Sequence, residues 1–147
     1  MGMSKINAVC PNAKMRLALT LLLVFGTLFN GSAQQVMQWT VDDTVREAMV
    51  YIPAMAKTQA TPVIFAFHGH GGTARNMFLS RGFERLWPEA IVVCPQGLNT
   101  PGQLTDPQGE LPGWQRAPGD MHDRDLHFFD AILKTMRQDY TDRRAHV

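Results

Sequence analysis

The chain has 147 residues, of which 45% are hydrophobic and 18% charged, with a formal net charge of +1 and two cysteines. That apolar fraction excludes a disordered chain, and two cysteines cannot build a disulfide scaffold. A near-zero charge gives no bulk attraction to nucleic acid or to an anionic membrane.

Lys14 and Arg16 precede an apolar run from Leu17 to Phe29, and the small residues Gly31-Ser32-Ala33 follow it. A basic start, a short apolar core and a small-residue cleavage site make a secretory signal peptide over residues 1–33, with Gln34 as the new N-terminus. A membrane anchor and a buried core helix are the rival readings. Thirteen residues rise only about 20 Å as a helix, short of a hydrocarbon core of about 30 Å. Met1, Met3 and Met15 are alternative starts, and Met15 gives the more compact signal. The expected location is therefore secreted or periplasmic, with no stable membrane span after cleavage. Cleavage takes Lys5, Lys14 and Arg16 but no acid, leaving 11 bases against 13 acids. It also takes Cys10, so Cys94 stands alone and no internal disulfide is possible in the mature chain.

In chain order, Val36–Thr40 and Thr44–Ile52 are β-rich with Asp42-Asp43 between them, an antiparallel hairpin. Residues 62–67, Pro-Val-Ile-Phe-Ala-Phe, form an unbroken apolar run that suits a strand buried on both faces of a mostly parallel sheet. Gly71-Gly72 ends it, and Thr73 or Asn76 caps a short helix reaching toward Leu86. Ala90–Cys94 is a second buried strand, stopped by Pro95. Residues 95–122 hold 5 Pro and 5 Gly, a long loop of the kind that often carries function. A helix follows from Asp123 or Asp125 to near Asp139, with Leu126, Phe129, Ile132, Leu133 and Met136 on one face. Ala145–Val147 opens another strand. Alternating strands and helices predict an α/β sheet.

The turn His68-Gly69-His70-Gly71-Gly72 directly follows a buried strand. Such turns cradle phosphate or hold the oxyanion of acyl transfer. Phosphate is disfavoured because neither G-x-G-x-x-G nor Gly-Lys-Ser/Thr is present. His68 and His70 invite a metal reading with His122, but Gly69 bends the strand and no neighbouring pair completes a ligand set. A glycine turn with no further role is the plain alternative. Acids at 120, 123 and 125 read as caps at a helix start rather than as an acid–base cluster.

Several stretches then resemble one family: Val50–Pro53, Pro62–Gly69, Trp87–Val93, Pro95–Gly97, Gly113–Gln115, Asp123–Leu126 and Phe128–Asp130. They are similar to the α/β-hydrolase superfamily and, more narrowly, to secreted esterases related to polyhydroxybutyrate depolymerases and feruloyl esterases. The resemblance implies the N-terminal part of an α/β-hydrolase sheet: a β-hairpin, then strand, helix, strand and helix. It implies that the backbone N–H of His70 is an oxyanion donor, that Gly71 shapes the turn, and that a small-molecule or polymer ester is the substrate. It implies no metal or organic cofactor. In the long loop, Trp114 stacks on substrate or anchors the loop, and Gln115 orients a polar group.

That fold needs a G-x-S-x-G nucleophile, then an acid, then a histidine. After residue 33 the only serine is Ser80, in the wrong context, and Cys94-Pro95 lacks the elbow glycines. Residues 34–147 are therefore expected to be a truncated hydrolase domain, inactive alone. The alternative is a secreted binding module that holds carbohydrate or polyester without cleaving it.

Overall fold

The computed structural model describes residues 33–102 and 104–140. The proposed signal peptide, apart from Ala33, and the strand expected from Ala145 lie outside the described residues.

Strands β1 (Ala33–Val41) and β2 (Thr44–Ile52) form the hairpin, with Val41 opposite Thr44. Asp42 and Asp43 both have positive φ, at 48° and 60°. That is the two-residue turn whose twist matches paired strands, and aspartate tolerates its left-handed backbone. Strand β3 covers only Val63–Phe65 and β4 covers Ile91–Pro95. The sheet order is β1-β2-β4-β3, with β2 antiparallel and β3 parallel to β4.

Two sequence expectations need correction here. The sheet is mixed, with one parallel pair among the described strands, rather than mostly parallel. The 62–67 run is not buried throughout: β3 is half-buried, pairs on one side among the described residues, and Phe67 is exposed. β4 does fit the expectation, since all five of its residues are buried.

β4 divides the interior. Ile91 and Val93 pack with Ala48, Val50, Phe128, Ile132 and Met136 on one face. Val92 and Cys94 pack with Ala66, Ala74 and Phe78 on the other. Alternate residues of a strand point to opposite faces, so one short run serves two cores.

Helix α1 (Ala74–Arg81) starts where Thr73 Oγ1 accepts the Asn76 N–H at 3.1 Å. It stops at Gly82, whose left-handed φ of 60° separates it from the single turn α2 (Phe83–Leu86). The one helix expected toward Leu86 is thus two. Helix α3 (Arg124–Asp139) ends as the sequence predicts, but its buried face is Asp125, Phe128, Ile132 and Met136. Leu126 is exposed. The face is rotated because Asp125 turns inward to Arg46 of β2, at 2.8 Å, with both side chains buried. Arg46 also donates to the carbonyls of Arg124 and Gln96 and lies 4.3 Å from the Phe128 ring centre. This cluster ties the hairpin, the end of β4 and the start of α3 together.

Cys94 is fully buried, and burial, with Glu84 nearby, pushes its thiol up to about 12. A thiol held neutral is a poor nucleophile. In native protein at pH 8, Cys94 is expected to leave Ellman's reagent uncoloured, and to react in full once urea unfolds the chain. Rapid reaction in the folded protein would contradict this burial.

Candidate functional site

β3 runs out at Phe65, and the chain turns sharply through residues 68–72 before α1. Three groups of contacts fix the turn. Gly97 N–H donates to Nε2 of the buried His68 at 3.0 Å. A neutral imidazole that accepts at Nε2 carries its proton on Nδ1, which lies 2.7 Å from the Gly69 carbonyl. Gln96 braces the same place, accepting the Ala74 N–H through Oε1 at 2.8 Å. From the long loop, Trp114 Nε1 donates to the His68 carbonyl at 2.8 Å, and its ring packs against Phe67 and His68.

Inside the turn, Gly71 N–H donates to the Pro112 carbonyl at 2.8 Å, and Gly72 N–H to the Gly69 carbonyl at 2.9 Å. Gly71 has φ of +72°, a conformation that glycine adopts without steric cost. A Cβ at Gly72 would sit 2.9 Å from the Gly69 carbonyl oxygen. The amides of Gly69 and His70 have no hydrogen-bond acceptor among the described residues, and both residues are exposed. Two neighbouring N–H groups on a braced turn, both without an acceptor among the described residues, suit an incoming oxyanion.

The wall beside them is the long loop. Short strands β5 (Leu98–Asn99) and β6 (Pro112–Gly113) pair antiparallel and bring the loop's two ends together. A cavity of about 480 Å³ opens between His70, Leu104, Thr105, Trp114 and Arg116. The His70 imidazole stands at its edge, with Nε2 3.1 Å from the Asp106 carboxylate. That carboxylate is held below the usual range, chiefly by the Glu110 N–H, then by the Leu111 N–H and by His70.

Of the residues singled out in the sequence, His70, Gly71 and Trp114 meet at this turn. Trp114 anchors the loop, the second of its two alternatives, and its ring also lines the cavity. Gln115 lines an adjoining cavity with Pro101, Trp114 and Arg116. Its amide donates to the Asp123 carboxylate and the Ala117 carbonyl, and accepts the Asp125 N–H. The acids do not act as expected at the start of α3. Asp123 makes no side-chain cap and instead accepts from Gly119 N–H and Gln115, which lower its pKa in that order. Asp120 accepts the Ala117 N–H.

His68 and His70 are committed to the contacts above, while His122 lies in a run of three left-handed residues, Met121 to Asp123, lining a different cavity. No three His, Cys, Asp or Glu side chains among the described residues are placed to hold a metal ion. No described helix is long and apolar enough to cross a membrane. Ser80 is exposed on α1, its hydroxyl donating to the Met77 carbonyl at 3.4 Å.

Gln96, Gly97 and Asp106 were not singled out by sequence reasoning. Pro95-Gln96-Gly97 forms part of the family resemblance, whereas nothing local marks Asp106, whose partner is 36 residues away.

No protein-family profile matches the chain, and no curated protein matches it. Among solved structures, the chain is similar to an S-formylglutathione hydrolase from Agrobacterium tumefaciens, with a TM-score of 0.52 and 20% identity. The match covers 80% of this chain and 47% of that one. A ferulic acid esterase aligns with a TM-score of 0.49 and 19% identity, over 75% of this chain and 46% of that one. This chain thus spans about half the length of either structure. The hydrolase likeness establishes the fold: the described residues form part of an α/β-hydrolase sheet.

Proposed function

We propose that residues 34–147 carry the oxyanion-binding side of the active site of an exported serine carboxylic-ester hydrolase of the polyester or feruloyl type. The observation that carries this reading is the pair of open amides at Gly69 and His70, on a turn whose next two amides are already bonded. In such an enzyme a serine attacks the ester carbonyl, and the oxygen takes up the negative charge. Donors aimed at that oxygen in advance stabilise it without reorganisation. Gly71 sets the turn and Trp114 flanks the cavity as the surface for the acyl or alcohol part. In this reading the nucleophile, acid and base come from outside residues 34–147, since Ser80 is the only serine there and its hydroxyl is bonded within its own helix. Residues 1–33 act as the export signal, and cleavage after Ala33 falls at the start of β1.

The test uses sodium butyrate, a carboxylate standing in for the oxyanion, titrated into the isotopically labelled protein. The amide resonances of Gly69 and His70 are expected to move saturably, while those of Gly71 and Gly72 stay near their starting positions. The same protein is expected to leave p-nitrophenyl butyrate at the buffer rate. Saturable shifts confined to other amides, or turnover abolished by Ser80→Ala, would place the chemistry elsewhere. Saturable binding of a neutral oligosaccharide without a butyrate response would favour the binding-module alternative.

A further inference from the structure

The Gly69–His70 peptide is fixed at its carbonyl, which accepts the Gly72 N–H and faces His68 Nδ1 at 2.7 Å, while its N–H has no acceptor among the described residues. Glycine flanks His70 on both sides, so beyond that carbonyl local sterics add little to the hold on His70. Before it, the chain is held at His68 by Gly97 and Trp114; after it, at Gly71 by Pro112. Between those fixed points, besides the bonds to the Gly69 carbonyl, the grip on His70 runs through its side chain.

That side chain sits in a fitted slot. A Cβ on Gly102 would lie 2.9 Å from Nε2, and one on Gly113 would lie 2.8 Å from Nδ1. Two glycines therefore make room for the ring on either side. At its end the ring meets Asp106, which is buried. Asp106 is fixed in turn: Oδ1 accepts the Glu110 N–H at 3.0 Å, and Oδ2 the Leu111 N–H at 2.9 Å. Its own carbonyl accepts the N–H groups of Gly102 and Gly109. A carboxylate that only accepts requires the proton to be on His70 Nε2. The contact is a charge-assisted hydrogen bond between a rigid loop and the one side chain attached to an open amide.

We infer that Asp106 is a positioning residue: by gripping the His70 imidazole it holds, together with the bonded Gly69 carbonyl, the His70 N–H in place beside the cavity. The inference rests on the reading of this turn as an oxyanion donor. Asp106 touches no substrate and acts through His70. It also couples the cavity wall to the donor, so that loop and turn hold one geometry.

The experiment compares the unaltered protein, Asp106→Asn, His70→Phe and the double variant, each titrated with sodium butyrate and read at the His70 amide. His70→Phe keeps the backbone donor and a flat ring for the slot but removes the ring N–H. Each single variant is expected to bind butyrate about tenfold more weakly, the weight of one charge-assisted hydrogen bond. Because both remove the same contact, the double variant is also expected to lose about tenfold rather than a hundredfold. Unchanged α3 amide resonances serve as the check that each variant is folded. A second readout needs no ligand: the His70 Nε2–H should give a slowly exchanging proton signal that vanishes in Asp106→Asn. Unchanged butyrate affinity in either single variant, multiplying losses in the double, or survival of that signal in Asp106→Asn would overturn the positioning role. Absence of any butyrate response in the unaltered protein would instead overturn the reading of the turn, and the two failures are separately visible.

Discussion

Asp125→Ala is expected to lower the unfolding free energy by about 3–5 kcal/mol, the cost of leaving one member of a buried ion pair uncompensated. The Arg46 guanidinium is buried, its Nε already lacks a partner among the described residues, and burial is the largest influence pulling its pKa down. Removing the carboxylate leaves that charge with two carbonyls and an aromatic face. It also strips the Gln115 N–H of its acceptor, which lies 2.7 Å away. Urea unfolding gives the measurement: the midpoint should fall with little change in slope, since the surface exposed on unfolding is almost the same. A loss below about 1 kcal/mol, the range of an exposed pair, would show that water reaches this site.

Phe128→Ala is expected to cost about 3–5 kcal/mol by loss of buried area and by the cavity left behind. Phe128 is only 1% exposed, meets the Trp39 ring edge-on with centroids 5.9 Å apart, and forms the surface on which Arg46 lies. The Asp125 and Phe128 substitutions share Arg46 as a neighbour, so they should not add. The double variant should lose less than the two single losses together, because a guanidinium already freed from one contact has less to lose from the other. Strict additivity in the same urea series would show that Arg46 does not link them.

The hairpin, β4 and the end of α3 were legible because each is marked locally: two aspartates at the turn, an unbroken β-branched run stopped by Pro95, and an apolar stripe ending near Asp139. The buried face of α3 was not. An aspartate at its first turn reads as a solvent-facing cap, and only a partner 79 residues earlier makes it an interior residue. The hydrophobicity of the 62–67 run marks a strand without saying how many neighbours it has, so burial on both faces does not follow from it. At the site, the glycine turn and Trp114 stood out by composition. Asp106 and Gln96 did not, since their roles exist only once the loop folds back. Gln115 lies beside Trp114 in the chain, yet its amide braces the loop against Asp123 and Asp125.

The partition of the interior by β4 has a consequence for engineering. Ala66 and Ala74, on either side of the turn that leads into α1, pack on the face of Val92 and Cys94, while the larger cluster beneath α3 rests on that of Ile91 and Val93. The strand acts as an insulating partition between a chamber that sets durability and one that borders the glycine turn. Variation that repacks Ile132 or Met136 can raise thermal tolerance without disturbing the amides at the turn. Changes at Val92 or Phe78 have no such freedom, because they shift the floor from which those amides are presented.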